Sequence, residues 1–368
     1  MDITTRVKEI FQTLHAIPEV GFNEHKTAAY LAAELGKAGY QIRTGIGGTG
    51  ITGVLDSGVP GPVIGLRADM DALAHTVDGV EKCVHSCGHD AHCAMVLAAA
   101  EVLAEKPPAK GKLKIVFQPA EEKLDGALSM IKSGAVDDLE ILFGIHLRPI
   151  QEAKSGQATP ALYHGASYIA TAAIKGAPAH GARPHLGINA IDAATAVVGA
   201  INAIHLNPAD SWSVKTTKLH AGGPTLNAIP DLAEMAFDLR AQSNAAMDAL
   251  LAKLPQTIEN AAAAIGATAD VQIRGGVPAA EYDAGLTAIA GEAIRAVLGE
   301  AGLLAPIITP GGEDFHYFTQ KIPGLRSAYI GLGCNLTPGL HHPDMTFDTD
   351  ALPQGVAILL EAVRRASS

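Results

Sequence analysis

The stretch Leu113-Lys-Ile-Val-Phe-Gln-Pro-Ala-Glu-Glu122 decides the fold. Leu113–Gln118 is an apolar run of strand length, and Pro119 stops it, because proline brings no backbone N–H to a sheet ladder. Two carboxylates, Glu121 and Glu122, therefore stand at the C-terminal end of a strand. In open α/β sheets ligands bind at that edge. Similar runs lie on either side. Ile51–Leu55 and Pro62–Arg67 are short, apolar and bounded by Gly and Pro, and Leu139–His146 ends on a histidine. Segments of helical spacing alternate with them: Val7–Ala16, Lys26–Ala38 and the Ala-rich Asp90–Glu105. The alternation predicts an α/β domain, a mostly parallel sheet flanked by helices.

The middle of the chain follows another order. Tyr168–Lys175 reads as a strand, Ala190–Leu206 as a helix, Ser211–His220 and Ala233–Arg240 as strands, Ala245–Gly266 as a helix and Ala269–Arg274 as a strand. That βαββαβ order is the one of a ferredoxin-like α+β unit. Leu251, Leu254, Ile258 and Ile265 are the expected buried stripe of its second helix. Leu286–Leu298 (helix), Leu325–Leu332 (strand) and Ala351–Arg365 (helix) then return to the first pattern. The predicted architecture is a discontinuous α/β domain, residues 1–165 and 278–368, with an α+β domain, residues 166–277, inserted into it.

Composition narrows the partners. Among 368 residues, 27 Lys+Arg against 38 Asp+Glu give a net charge of −11, which disfavours nucleic acid or an anionic membrane as the main partner. Hydrophobic residues at 48% and charged residues at 18% suit a soluble enzyme. Met1 to Gln12 lacks the apolar centre of a signal peptide, and no run reaches the roughly 18 apolar residues of a membrane span. The four cysteines, Cys83, Cys87, Cys93 and Cys334, are too few and too clustered for a disulfide scaffold, so the expected compartment is a reducing cytoplasm.

The chemistry is densest in Cys83-Val-His-Ser-Cys-Gly-His-Asp-Ala-His-Cys93, six Cys and His within eleven residues. A structural zinc knuckle would need a second Cys/His pair of the usual form, and none follows. Cys87 and His89 flank Gly88 just ahead of a helix N-terminus, where a thiolate is favoured, and they read as metal ligands. Cys83, His92 and Cys93 read as core or surface residues. His146 ends a strand, and the loop Gly339-Leu-His-His-Pro-Asp344 offers a further histidine, His341 or His342. Asp69 and Asp71, at the end of Gly65-Leu-Arg-Ala-Asp-Met-Asp71, are placed to orient a ligating histidine. Adjacent carboxylates face different ways, so Glu122 can bind metal while Glu121 takes a proton. Five ligands exceed the three or four of one ion, and they fit two divalent ions if one of them, such as the thiolate, bridges. Two ions lower the pKa of a water and polarise a carbonyl, and Glu121 would carry the water's proton to the leaving nitrogen. Thiolate softness favours Zn²⁺, with Mn²⁺ and Co²⁺ as alternatives.

These segments together resemble the dinuclear-metal aminoacylase and carboxypeptidase family, the twentieth metallopeptidase family. The likeness is to its branch of hippurate, aminobenzoyl-glutamate and indole-acetyl-amino-acid amidohydrolases. The matching stretches are Ile17–Glu24, Leu66–Leu73, His85–Asp90, Phe117–Glu122, Gly144–His146, Asn227–Pro230, Gly312–Phe315 and Leu340-His341, in family order. The resemblance implies metal ligands at Cys87, His89, Glu122, His146 and His341, choosing His341 over His342, with Glu121 as general base. It implies that the inserted domain is a lid that forms a homodimer. There, His180 would stabilise the tetrahedral oxyanion, and Asn227 and Arg240 would hold the substrate carboxylate. It leans toward Mn²⁺. The expected reaction is hydrolysis of an N-acyl amino acid to a carboxylic acid and a free amino acid. A dipeptidase or carboxypeptidase using the same site is the alternative. The chain departs from the family pattern at Ala74-His75, Gly311-Gly312 with His316, and Lys123-Leu-Asp125, around the expected pocket, which leaves the substrate open.

Overall fold

Val63–Asp69 is buried at every position and lies at the centre of a seven-stranded sheet. A computed structural model describes residues 2–309 and 311–367, with Met1, Pro310 and Ser368 outside the described residues. The strand order is Gln41–Ile46, Gly50–Asp56, Lys112–Gln118, Val63–Asp69, Ile141–Pro149, Arg326–Leu336 and Ala158–Thr159. Only the four central strands are parallel. Both flanks pair antiparallel, so the sheet is mixed rather than mostly parallel. One cause is local: Gln41–Ile46 turns into Gly50–Asp56 through three residues, too few for a parallel crossover.

Strand alternation separates two environments. Ile64, Leu66 and Ala68 join the main apolar core, as do Ile115, Phe117, Phe143, Ile145 and Leu147. Arg67, Asp69, Gln118 and His146, at the alternate positions, are also buried but polar. Helix His89–Glu105 is apolar almost all round, which suits a helix buried on all sides. It packs against Val63–Asp69 and is covered by helices Ile3–His15 and Leu352–Ala366. A hairpin the periodicity does not anticipate, Leu73–Val77 with Val80–Val84, turns at Asp78-Gly79 with φ of 53° and 77°. Asp-Gly is the favoured pair for such a turn, and the hairpin carries Cys83 away from the ligand cluster into a strand.

The chain separates into two units, Met1–Tyr163 with Glu281–Ile308 and Glu313–Ser368, and His164–Ala280 with Thr309–Gly312. The second holds a four-stranded antiparallel sheet in the order Trp212–Ala221, Leu232–Ala241, Ala166–Lys175, Thr268–Val277. Helices Ala190–Asn202 and Asn244–Ala264 complete the βαββαβ order and share its own apolar core. The buried stripe of the second helix is Met247, Leu250, Leu254, Ile258 and Ala262. That corrects the expected stripe. Leu251 sits one position round and is only partly buried, and Ile265 lies past the last helical turn, 42% exposed. Thr309–Gly312 joins this unit through the Gly165 N–H, which donates to the Thr309 carbonyl at 3.3 Å. Among the described residues no helix is long and apolar enough to cross a bilayer.

Candidate metal centre and active site

The expected ligands sit at the start of a helix, in tight turns and, for His146, inside a strand that runs on to Pro149 instead of ending at the histidine. Cys87 and His89 flank Gly88, whose φ of 90° starts the central helix. His146 follows Gly144 on a buried strand, where any Cβ at Gly144 would lie 2.2 Å from the Tyr329 ring. Glu121 and Glu122 form a short 3-10 turn after Ala120, itself left-handed at φ 51°. His341 is also left-handed, φ 64°, at a cost of about 1–2 kcal/mol for an L-residue. Its N–H donates to the Ser86 carbonyl at 2.7 Å, which fixes the loop beside Cys87.

These side chains converge. Cys87, His89 and His146 offer ligand atoms all within 4.8 Å of one another. Cys87, Glu122 and His341 form a second such group, so the sulfur is common to both. Cys87 Sγ lies 3.6 Å from His146 Nε2, and His341 Nε2 lies 3.1 Å from Glu122 Oε1. Hydrogen bonds set which ring nitrogen of each histidine faces inward. His146 Nδ1 donates to the Leu147 carbonyl at 2.6 Å, leaving Nε2 toward Cys87. His89 Nδ1 donates to Asp71 at 3.1 Å, and its Nε2 is buried with no hydrogen-bond partner among the described residues. A buried ring nitrogen left so costs about 1–3 kcal/mol, and an ion would satisfy it. Burial pushes the Cys87 thiol up to about 12, so a thiolate there needs a cation beside it. The donor set of sulfur, imidazole and carboxylate therefore fits divalent ions of the zinc and manganese kind.

His92 behaves differently. Its Nδ1 bonds Asp69 at 2.7 Å and its Nε2 accepts from the Leu147 N–H at 3.0 Å, so both ring nitrogens are used inside the protein. Cys93 Sγ donates to the Asp69 carbonyl at 2.9 Å. Asp71 does more than orient His89. Its two oxygens also accept the N–H groups of Glu121 (3.1 Å) and Glu122 (3.0 Å).

The two neighbouring carboxylates are driven apart. Burial, and then the charges of Glu313 and Asp314, raise Glu121 well above the ordinary carboxylate range. Against its own burial, His341 and His89 hold Glu122 below that range. The two adjacent acids thus differ, Glu121 holding a proton more readily than an ordinary carboxyl and Glu122 less readily. Arg67, fully buried, anchors the acids around Glu121: it donates to Asp69 (2.7 Å), Glu313 (3.1 Å) and Asp314 (3.2 Å). Burial pushes Asp314 up to about 8, and its N–H lies 3.4 Å from Glu121 Oε1. Arg67, Glu313 and Asp314 are absent from the sequence-derived site. The available signals were a charged residue inside an apolar strand and a second adjacent acid pair.

In the second unit His180 and Asn227 come together, both exposed. His180 pairs with Ala228 across a two-residue ladder, and the Gly181 N–H donates to the Asn227 carbonyl at 2.7 Å. The Ala182 N–H occupies His180 Nδ1 at 3.0 Å. Arg240 is not with them. It lies at the far end of Leu232–Ala241, eight strand residues or roughly 27 Å along. Its guanidinium is clamped on Asp238 by two bonds of 2.9 Å.

A converging thiol, imidazole and carboxylate set beside a carboxylic acid of raised pKa defines a metal-dependent hydrolase. The chain belongs to the family described as Peptidase family M20/M25/M40, whose model matches residues 65–365. That bears out the resemblance read from the motifs, and the chain is a hydrolase of amide bonds. Among its relatives, IAA-amino acid hydrolase ILR1-like 2 of Arabidopsis thaliana is 32% identical over 95% of this chain and 82% of that protein. N-acetyl-L-cysteine deacetylase of Bacillus subtilis (strain 168) is 31% identical over 96% of this chain and 86% of that protein. The crystal structure of Bacillus subtilis YXEP protein, described as a dinuclear metal binding peptidase from the M20 family, superposes with a TM-score of 0.82 at 28% identity, covering 99% of this chain and 98% of that one.

Proposed function

We propose that the chain hydrolyses N-acyl amino acids to a carboxylic acid and a free amino acid. The observation that carries this is the split pair Glu121 and Glu122 beside the shared sulfur of Cys87. Cys87, His89, Glu122, His146 and His341 would hold two divalent ions, manganese or zinc with cobalt a third candidate, which supply Lewis acidity toward a carbonyl and a water. Glu121 takes the proton of the attacking water as its oxygen bonds the carbonyl carbon, and delivers it to the nitrogen as the C–N bond breaks. The Asp314 N–H steadies Glu121 Oε1 while this happens. The second unit acts as a lid and as the face of a homodimer. His180 donates to the oxyanion from Nε2, since the Ala182 amide occupies Nδ1. Asn227, beside His180, receives the substrate carboxylate, whereas Arg240 stays clamped on Asp238 at the other end of its strand. All four cysteines are free, which suits a reducing cytoplasm.

The test is a panel of N-acetyl, N-benzoyl, indole-acetyl and aminobenzoyl amino acids with dipeptides beside them. Each is assayed after chelation and reloading with Zn²⁺, Mn²⁺ or Co²⁺, in wild type and Glu121→Ala. Preference for the acylated substrates and loss of turnover in Glu121→Ala, with metal retained, support the proposal. Preference for dipeptides moves the assignment to a dipeptidase. No cleavage with any metal, or equal rates in both proteins, removes the hydrolytic role of Glu121.

A further inference from the structure

The loop that carries the base is held by its backbone. Three consecutive N–H groups, those of Ala120, Glu121 and Glu122, each point at a buried carboxylate. Asp71 takes the last two. The first goes to Glu24 Oε1 at 2.8 Å, from a residue 96 positions earlier in the chain. Glu24 is 0% exposed, and its other oxygen accepts the Thr49 hydroxyl.

Glu24 stands at the start of helix His25–Lys37, the position where a Ser, Thr, Asp or Asn side chain normally caps the helix. It makes no such cap. Glu19 does that instead, accepting the N–H groups of Lys26 at 2.8 Å and Thr27 at 3.0 Å. Glu24 is thereby turned inward, and a buried carboxylate without a helix to serve needs another reason to be there. Ala120 supplies it. Its left-handed φ of 51° is a conformation that alanine resists. The segment around Glu24 also packs tightly on this point: a Cβ on Gly21 would lie 2.9 Å from Ala120 Cα and 3.1 Å from Asp71 Oδ2.

We propose that Glu24 is a positioning residue for Glu121: by binding the Ala120 N–H it holds Ala120 in its left-handed turn and so aims the Glu121 carboxylate. This rests on the hydrolytic role of Glu121 given above. Glu24→Gln keeps an acceptor oxygen at the same reach. Glu24→Asp withdraws it by one methylene, about 1.5 Å.

The experiment compares wild type, Glu24→Gln, Glu24→Asp and Thr49→Val as metal-loaded full-length proteins. It reads kcat, KM, metal per chain and hydrogen exchange at the Ala120 amide. Glu24→Asp should lower kcat about 10- to 100-fold with KM within about twofold, because misplacement of a reacting group by an ångström has that effect. Its metal content should stay at the wild-type value while the Ala120 amide exchanges faster. Glu24→Gln should stay within about threefold of wild type, since its neutral hydrogen bond replaces the charged one. A Glu24→Asp protein with wild-type kcat, or one that loses rate with Ala120 protection unchanged, overturns the proposal. If Glu24→Asp does not fold, Thr49→Val decides the matter, because it frees one oxygen of Glu24 without shortening it. Faster Ala120 exchange with lower kcat then supports the proposal, and no change in either overturns it. If wild type cuts no amide in the panel, the hydrolytic reading fails, and the exchange data still decide whether Glu24 holds the loop.

Discussion

Asp71→Asn isolates the group that ties His89, a proposed ligand, to the turn of Glu121 and Glu122. Asp71 is 1% exposed and accepts three hydrogen bonds, from His89 Nδ1 (3.1 Å), Glu121 N (3.1 Å) and Glu122 N (3.0 Å). Asparagine keeps the shape but replaces one acceptor oxygen with an N–H₂ donor. If its oxygen stays toward His89 and Glu121, the amide nitrogen faces the Glu122 N–H at about the present 3.0 Å. A buried N–H that loses its acceptor costs about 1–3 kcal/mol, and the loss of charge weakens the two remaining bonds. Loss of a carboxylate that orients a ligating histidine typically lowers metal affinity 10- to 100-fold, about 1.4–2.7 kcal/mol. Titration of the chelated protein with Zn²⁺ and Mn²⁺ against a competing chelator reads this directly, and urea unfolding of the apo-protein reads the stability loss. Affinity within about threefold of wild type would show that Asp71 does not set the ring of His89, against the effect expected from such partners.

Gly144→Ala should be destabilising without touching any charge: its Cβ would meet Tyr329 carbons at 2.2 and 2.3 Å and Phe315 at 3.1 Å. A loss of about 1–3 kcal/mol is expected for such overpacking, and thermal unfolding would refute it if the midpoint is unchanged. His15 gains Asp90 as a partner at 2.7 Å, which raises its pKa above the ordinary 6.5. The stabilisation is therefore complete below pH 6.5 and is lost as pH rises through the raised value. His15 is half-exposed, so the effect is small, about 0.5–1 kcal/mol, and His15→Ala should flatten unfolding free energy against pH from pH 6 upward.

The parts of this molecule that can be read from sequence are those fixed by neighbours in the chain. Leu113–Gln118 and Val63–Asp69 announce themselves as strands by short, mostly apolar runs, broken only by Lys114, Gln118, Arg67 and Asp69, and His89–Glu105 announces itself as a helix by its length. Gln41–Ile46 does not, because it is an edge strand whose residues are mostly exposed. The Asp78-Gly79 pair marks a turn, but the two strands it joins are short and largely solvent-facing, so their periodicity is weak. Partnerships across long stretches of chain leave no local mark. Glu24 with Ala120, Arg67 with Glu313, and Asp71 with Glu122 each depend on which strands lie side by side. Arg240 shows the converse: a basic residue at a strand end suggests a carboxylate ligand, and its partner proves to be Asp238, two residues away on the same strand.

Both ring nitrogens of His92 are used inside the protein. Its ring centroid is 4.3 Å from that of His146 and 5.5 Å from that of His89, so position alone would make it a fourth imidazole beside His89, His146 and His341. To bind an ion it would have to release either Asp69 or the Leu147 amide, and leave a buried charge or a buried N–H without a partner. His92 thus serves inside the protein as a link between Asp69 and the Leu147 amide, tying the end of one central strand to the next.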